Sequence, residues 1–362
     1  MRQPPIRLLS VGIGLMLAVF MAACGTTTSG GTPAKTIEVG LVTDTGTLAD
    51  KSFNHLAGLG LSRAASTGNI CSSGGLSCKG ELGVQGDVIE SHANSDYVPN
   101  LTNFATRGYD LVIGVGFLMA ESIGTVSGQF PNIHFAIIDG TGTDAKGNDL
   151  KHSNVAGLLF KEQDAGALVG TIAGVLEKSG ATPKKSHTIG SIGGIKIPPV
   201  DHYIAGYQWA AKMADPSIKL LNGYSNDFND PTKCAGIADD QIAHGADILF
   251  QVAGGCGHGV LTEAGKKGVY SIGVDADQKA VDMSVIASAL KRVDNATFDA
   301  IKNVKNSTFK GGVTTFGLAN DSAGYQADNL TIIAPWLASL PEFTAKTISA
   351  PLLSLATAHF CN

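Results

Sequence analysis

Acidic and small residues follow several apolar runs of this sequence, in positions where they could form a ligand site. Asp44, Asp139 and Asp275 each come directly or almost directly after such a run, and Gly254 and Gly255 follow another. Carboxylates can accept hydrogen bonds from a ligand, and glycines let a ligand approach the backbone closely. The pattern as a whole predicts a binding site, although any one glycine pair could be an ordinary turn.

Two phenylalanines lie among polar residues at the starts of predicted helices. Phe53 and Asn54 begin an amphipathic segment that Asp50 or Ser52 can cap, and Phe228 lies inside "YSNDFNDP", just before another helix. Stacking of a base on an aromatic ring is worth roughly 1–3 kcal/mol. We therefore expect the two rings to sandwich a flat ligand. The alternative is that each ring only anchors its own helix.

The sequence lacks the common motifs of catalytic and nucleotide-binding sites. The segment "GGCGHG" (254–259) does not have the Gly-x-Gly-x-x-Gly spacing of dinucleotide-binding proteins, and there is no P-loop. The segment "DADQ" (275–278) begins like a calcium loop but lacks its glycine and its terminal glutamate. Cysteine and histidine pairs at zinc-ligand spacing are also missing. These observations favour binding over catalysis and predict no cofactor, no metal and no catalytic residue.

Short apolar runs alternate with amphipathic segments, which is typical of β-α-β units and parallel sheets. The predicted strands are 37–42, 83–90, 110–116, 133–139, 188–194, 247–254 and 270–275. The predicted helices are 53–66, 97–107, 119–129, 163–178, 201–214, 232–243 and 259–267. The number of predicted strands is high for a single doubly wound sheet. We therefore expect an α/β protein with two lobes that divide near Phe160. In such sheets ligands bind outside the carboxyl ends of the strands.

The first residues predict export from the cytoplasm. Two arginines precede the apolar run "LLSVGIGLMLAVF", and "MAAC" places small residues before Cys24. This pattern is typical of a signal peptide over residues 1–23, followed by acylation of the Cys24 thiol with chains such as palmitate. The alternative is an ordinary signal peptide with an incidental cysteine. Residues 24–35 would then form a flexible tether.

Charge and cysteine content agree with this location. The formal net charge is −5 and the sequence has no basic cluster, so nucleic-acid binding is not expected. Cys71 and Cys78 could form a local disulfide, and Cys234 and Cys256 could form a second one. Cys361 would then be the odd cysteine. These pairings are hypotheses, because a sequence does not fix disulfide connectivity.

An ordered series of motifs resembles the bacterial basic membrane protein family. The series includes "DKSFN", "DYVPNL", "GYDLVIGVGF", "FNDP" and "IGVDADQ", and the resemblance covers roughly residues 36–320. The best-understood members of this family are purine-nucleoside-binding lipoproteins of ABC importers. This chain departs from the usual pattern at Ala49, where the family often has an acid, and at Cys256, where threonine is common.

The resemblance implies roles for individual residues. Phe53 and Phe228 would stack on the purine, and Asn54 and Asp139 would bond the edge of the base. The remaining implied ligand residues, at the mouth of the cleft or around the ribose, are Asp44, Asp50, Gly254, Gly255, Asp275 and Lys291.

The resemblance also implies a fold and a biological setting. The fold would be a type I periplasmic-binding-protein-like fold with three hinge crossovers, one lobe from 36–158 plus 288–312 and the other from 159–287 plus 313–362. The chain would be a monomeric, lipid-anchored protein on the extracytoplasmic face of the cell membrane. It would deliver guanosine, inosine or adenosine to an ABC permease. The alternatives are a receptor for another solute, such as a sugar or an autoinducer-like molecule, a nucleoside sensor, and a nucleoside-cleaving enzyme.

Overall fold

The computed structural model describes residues 35–318 and 323–327. The predicted signal peptide, the lipidation site at Cys24, residues 24–34 of the tether and Cys361 lie outside the described residues. Among the described residues, no helix combines the length and the apolar character that crossing a membrane requires.

The strands form one seven-stranded and one six-stranded sheet. In chain order they are β1 (Glu38–Val42), β2 (Ala65–Thr67), β3 (Val84–Ile89), β4 (Leu111–Val115), β5 (His134–Ile138), β6 (Val155–Phe160), β7 (Thr188–Gly193), β8 (Lys219–Tyr224), β9 (Ile248–Val252), β10 (Tyr270–Asp275), β11 (Val285–Lys291), β12 (Gly312–Phe316) and β13 (Ala323–Ala327). The first sheet has the order β12-β6-β5-β4-β1-β3-β2, and the second has β13-β11-β10-β9-β7-β8. Every pairing is parallel except that of β11 with β13.

Helices cover both faces of each sheet. They are α1 (Phe53–Ala64), α2 (Tyr97–Thr106), α3 (Ala120–Gln129), α4 (Glu162–Ser179), α5 (Pro198–Ala214), α6 (Pro231–Ala243), α7 (Gly257–Lys267) and α8 (Val293–Lys305). Two successive residues of β1 point to opposite faces of the sheet. Leu41 packs in the core that α1 and α8 cover, and Val42 packs in the core that α2 and α3 cover. A strand that is buried on both faces must be apolar throughout, which explains the continuous apolar runs in the sequence.

The predicted α/β architecture with two parallel sheets is confirmed, although several individual elements differ from the prediction. Helix α5 begins at Pro198 instead of residue 201, because the first turn of a helix tolerates proline. Six strands, namely β2, β6, β8, β11, β12 and β13, and helix α8 were not predicted. Strands β8 and β12 lie at sheet edges and contain no fully buried residue, so neither has a continuous apolar run. Strand β2 begins at Ala65, within the predicted helix 53–66.

The described chain passes between the two sheets at residue 161 after β6 and at residue 292 after β11. Strands β12 and β13, which follow each other in the described chain, also belong to different sheets. These passages lie slightly after the lobe boundaries that the sequence suggested, because β6, β11 and β12 continue to residues 160, 291 and 316. The division into two discontinuous lobes at these passages is our proposal.

Two disulfides link cysteines that the sequence had suggested as pairs. Cys71 is bonded to Cys78, and Cys234 is bonded to Cys256. Cys234 lies in α6 and Cys256 immediately precedes α7, so the second disulfide joins the starts of two neighbouring helices. Both of these cysteines are fully buried.

Glycines at a four-residue spacing bring α4 very close to α5. A Cβ atom on Gly166 or Gly170 would lie 2.2 Å from the carbonyl oxygen of Tyr203 or Tyr207, respectively. Side chains on this face would therefore separate the two helices. The contact matters for the site described below, because α5 carries Tyr203 and α4 carries Glu162.

Gly170→Ala is expected to lower the free energy of unfolding by about 1–3 kcal/mol, because the added methyl group overpacks the helix contact. Gly236→Ala is a matched control on α6, where no heavy atom lies within 4 Å of the added Cβ. This control should raise the free energy of unfolding by up to about 1 kcal/mol through helix propensity. Urea denaturation measures both values, and equal effects would contradict the close packing of α4 on α5.

Candidate functional site

A cleft lies where the carboxyl ends of strands from both sheets face each other. Every residue that the sequence predicted to contact the ligand lines this cleft. They are Asp44, Asp50, Phe53, Asn54, Asp139, Phe228, Gly254, Gly255, Asp275 and Lys291.

Asp50 and Asn54 build the start of α1. Asp50 accepts hydrogen bonds from the backbone N–H groups of Ser52, Asn54 and His55, at 2.8, 2.9 and 3.1 Å, so its charge lies at the helix N-terminus. The side-chain amide of Asn54 donates to Asp50 Oδ2 at 3.0 Å and to Asp44 Oδ1 at 2.9 Å. Both N–H groups of this carboxamide are therefore used within the protein. Asn54 orients the two acids, and only its oxygen has spare hydrogen-bonding capacity.

Asp44 is a buried acid with one constrained oxygen. Its Oδ1 accepts from the backbone N–H of Gly46 at 2.7 Å as well as from Asn54. Its Oδ2 faces Gly116, where a Cβ atom would come within 3.0 Å of that oxygen. Burial raises the pKa of Asp44 to about 6, since removal from water disfavours the charged form.

Lys291 joins the two sheets through a buried ion network. Its Nζ donates to Asp139 Oδ2 at 2.6 Å and to Glu162 Oε1 at 2.9 Å, and all three side chains are almost completely buried. Burial raises the pKa of Asp139 to about 7 despite the neighbouring ammonium. Burial alone would lower the pKa of Lys291, but the charges of Asp139 and Glu162 outweigh it and raise that pKa. Asp139 Oδ1 is buried and has no hydrogen-bond partner among the described residues.

Asp275 forms a second link between the sheets. Its Oδ2 accepts from Ser52 Oγ at 2.6 Å, and its Oδ1 accepts from Tyr203 Oη at 3.3 Å. Burial raises the pKa of this carboxyl above its usual value. Asp275 and Asp139 both have left-handed backbone conformations, with φ of 64° and 65°. Aspartate tolerates this region better than most residues, so both strand ends can turn sharply at the cleft.

The two phenylalanine rings line the same cleft from opposite sheets. Phe53 packs against the core of the first sheet, and Phe228 packs against the core of the second. The Phe53 ring centroid lies 5.1 Å from Lys291 Nζ, within range of a cation–π contact. The Phe228 ring packs directly against the backbone of Gly194, because a Cβ atom on Gly194 would lie 2.3 Å from the ring. Both rings remain partly exposed, so they do more than fill separate interiors.

Sequence reasoning missed the apolar wall of the cleft and two polar residues of the site. The apolar wall consists of Phe117, Leu118, Ile197, Pro199, Val200, Val252 and Val274. Tyr203 was missed because it lies in the apolar stripe of a helix and resembles a core residue. Glu162 stands within a segment that resembles the family, "LFKEQ", which could have drawn attention to it.

The chemistry of the cleft suits an uncharged ligand that donates hydrogen bonds. Among the described residues that line it, four are aspartates and only Lys291 is cationic. Acceptors therefore outnumber donors, and an anionic ligand would be repelled. Among the described residues, no cluster of histidine, cysteine or acidic side chains has the arrangement of a metal site.

Comparisons with known proteins agree with this architecture. The family model for PnrA-like ABC transporter substrate-binding proteins matches residues 37–332. A lipoprotein of Pyrococcus horikoshii is 34% identical, over 86% of this chain and 75% of its own. An ABC transporter nucleoside-binding protein of Lactococcus lactis is 28% identical, over 88% of this chain and 90% of its own.

Among solved structures, a solute-binding protein of an ABC transporter from Aeropyrum pernix superposes with a TM-score of 0.69. It is 29% identical to this chain, and the match covers 89% of this chain and 85% of the other. The similarity confirms the periplasmic-binding-protein-like fold that the motifs implied. The chain belongs to the PnrA-like family of ABC transporter substrate-binding proteins, the basic membrane protein family that its motifs resemble.

Proposed function

We propose that this protein is a lipid-anchored extracytoplasmic receptor that captures a purine nucleoside and delivers it to an ABC permease. The observation that carries the proposal is the position of Phe53 and Phe228 on opposite walls of one cleft, beside buried acids and a lysine. A planar base between two rings is stabilised by stacking. The apolar wall of the cleft would cover the remaining faces of the ligand.

The base would be held at its polar edge by carboxylates. Asp139 Oδ1 is buried and accepts no hydrogen bond from the described part of the chain, so a ligand N–H would satisfy it. Asp44 lies on the same side of the cleft and offers Oδ2. Guanine and hypoxanthine present N–H groups at this edge, and a hydrogen bond to a carboxylate is stronger than one between neutral groups. Asn54 would act mainly by orienting Asp44.

The ribose would be held by residues of the second sheet. Asp275 can accept from ribose hydroxyls, and Lys291 can donate to one of them. Gly254 and Gly255 would let the sugar approach the backbone, since Gly254 has a φ of 55° and neither glycine presents a side chain. Asp275 and Lys291 end adjacent parallel strands, β10 and β11, so they meet at the same edge.

Bonds across the cleft support a hinge mechanism in which the receptor closes on its ligand. Ser52 donates to Asp275, Lys291 donates to Asp139, and Asn229 Nδ2 donates to the carbonyl oxygen of Thr45 at 2.9 Å. Each bond joins the two sheets. Closure would exclude water and present a joined surface to the permease. Anchoring through Cys24 is supported by the sequence pattern and by relatives named as lipoproteins.

Binding without cleavage is part of this proposal. Incubation of the protein with guanosine, followed by analysis for free guanine, separates the receptor from a nucleoside-cleaving enzyme. Calorimetry with guanosine, inosine, adenosine and ribose separates it from a sugar receptor. Tight ribose binding without nucleoside binding would overturn the assignment.

Phe228→Ala is expected to weaken guanosine binding by about 1–3 kcal/mol, roughly 5- to 150-fold in Kd, because one stacking surface is lost. Phe298→Ala is the matched control, since Phe298 lies outside the cleft under Arg63. Isothermal titration calorimetry gives both Kd values. An unchanged Kd for Phe228→Ala would mean that this ring only anchors its loop.

Guanosine affinity is expected to rise between about pH 5 and about pH 8, because Asp44 and Asp139 must be ionised to accept ligand N–H groups. Their pKa values are raised to about 6 and about 7 by burial. The same shifts make the unliganded protein bind more protons than the unfolded chain between about pH 4 and pH 7. The contribution of these groups to stability therefore falls as the pH rises through that window.

Calorimetry and thermal unfolding over this pH range test both trends. Asp139→Asn should remove the pH dependence of guanosine affinity near pH 7. Asp149 is an exposed acid outside the cleft, so Asp149→Asn should leave the pH dependence unchanged. An affinity that does not vary with pH in the wild-type protein would show that neither carboxylate accepts from the ligand.

Guanosine 5′-monophosphate is expected to bind at least about 100-fold more weakly than guanosine. The phosphate would enter a cleft whose charged lining, among the described residues, is four aspartates and one lysine, and burial of an unpaired charge is costly. Competition between the two compounds, measured by calorimetry, gives the ratio directly. Equal affinities would contradict the acceptor-rich character of the site.

A further inference from the structure

We propose that Glu162 is a positioning residue, whose carboxylate holds one N–H of Lys291 so that a single N–H of that ammonium is left for the ligand. The inference rests on the proposed function, in which Lys291 contacts the nucleoside. Glu162 itself does not line the nucleoside cleft.

The hydrogen bonds of the Lys291 ammonium indicate this positioning role for Glu162. An ammonium group has three N–H donors. One donates to Asp139 at 2.6 Å and a second to Glu162 at 2.9 Å. The rings of Phe53, Phe160 and Tyr203 surround the same nitrogen, with centroids 5.1, 4.8 and 5.8 Å away, and a ring offers no strong acceptor. Only the third N–H is available to a ribose hydroxyl.

The position of Glu162 in the fold restricts the movement of its carboxylate, which holds the Lys291 ammonium. It is the first residue of α4, which follows directly after the passage at residue 161, and Lys291 directly precedes the passage at residue 292. Close packing of α4 on α5 fixes the helix that carries Glu162. The pair therefore ties Lys291 to the rigid start of a helix at the point where the two sheets are connected.

Charges on several elements determine the ionisation of Glu162. Lys291 on β11 and His202 on α5 contact its two oxygens, at 2.9 and 3.3 Å. Asp139 after β5, Asp275 at the end of β10 and Asp164 on α4 are nearby acids. Burial raises the pKa of Glu162, but Lys291 and the His202 hydrogen bond outweigh burial and lower it, so Glu162 stays charged.

A permanent charge on Glu162 acts on the acid that faces the ligand. The negative charge of Glu162 is one of the causes that raise the pKa of Asp139. Removal of that charge should therefore let Asp139 ionise at lower pH. A residue that only filled space would not move the pH profile of binding.

The test compares guanosine Kd values from about pH 5 to about pH 9 for the wild type, Glu162→Gln, Glu162→Ala and a control. Glu162→Gln keeps an acceptor for Lys291, so its Kd at high pH should stay within a few-fold of the wild-type Kd. The pH at which half of the rise in affinity is complete should fall by about 0.5–1 unit. Glu162→Ala removes the acceptor and should raise Kd about 10-fold or more at every pH. The control Glu263→Gln changes a glutamate that contacts Lys266 and Lys267 far from the cleft, and it should match the wild type.

Two outcomes would overturn the inference. The first is a Glu162→Gln profile that coincides with that of the wild type. The second is an equal loss of affinity in Glu162→Gln and Glu162→Ala without a shift in midpoint, which would indicate a structural role. Circular dichroism of each variant establishes that it is folded before its Kd is interpreted.

A readout without ligand separates this inference from the proposed function. Nitrogen-15 NMR of the lysine ammonium groups should contain a slowly exchanging signal from Lys291, assigned by its loss in Lys291→Arg. The signal should persist in Glu162→Gln and Glu263→Gln and disappear in Glu162→Ala. If the wild type binds no nucleoside, the proposed function fails. If the signal is unaffected by Glu162→Ala, the positioning role fails.

Discussion

Burial of several carboxylates around one ammonium is the constraint on which the site depends. Asp139, Glu162 and Asp275 are almost completely buried, and Lys291 is the cation that faces them. An unpaired buried charge costs several kcal/mol, so each of these acids needs a donor, a proton or a ligand. Glu162 has Lys291 and His202, and Asp275 has Ser52 and Tyr203. Within the part of the chain that the structure describes, one oxygen of Asp139 has no partner, so a proton or a bound molecule would complete the network.

The fold supplies this network through the geometry of parallel sheets. Parallel strands end at a common edge, and here the ends of β5, β10 and β11 bring Asp139, Asp275 and Lys291 together. The left-handed conformations at both aspartates turn the chain sharply away from its strand. Two sheets that face each other at this edge create a cleft without the need for a long loop. The connections at residues 161 and 292 directly adjoin Glu162 and Lys291, so the charges lie beside two of the connections that we propose as the hinge.

Much of this arrangement follows from the sequence, and the reasons for the exceptions are physical. Seven interior strands were identified by their apolar runs, and the residues after those runs gave most of the acids of the cleft. The interior strands β6 and β11 were missed, even though most of their residues are buried. Strands β8 and β12 have exposed residues and carry no such signal. The two rings were recognised by their polar neighbours, and Lys291 only by family resemblance. Tyr203 and Glu162 stand at helical positions whose direction depends on how α4 and α5 pack, which local patterns do not encode.

Phe53 and Phe228, which we propose to stack on the ligand, are held in place differently because their local structures differ. Phe53 belongs to a helix that Asp50 caps, so its backbone is already fixed. Phe228 lies in an irregular loop, and its position depends on several separate contacts. Its carbonyl oxygen accepts from the backbone N–H of Cys256, and the Cys234–Cys256 disulfide joins that residue to α6, the helix that follows the loop. Asp227 adds a bond to the backbone N–H of Asn229 at 2.7 Å. Such constraints reduce the entropy lost when a ligand orders the loop, which favours tight binding without any additional contact to the ligand.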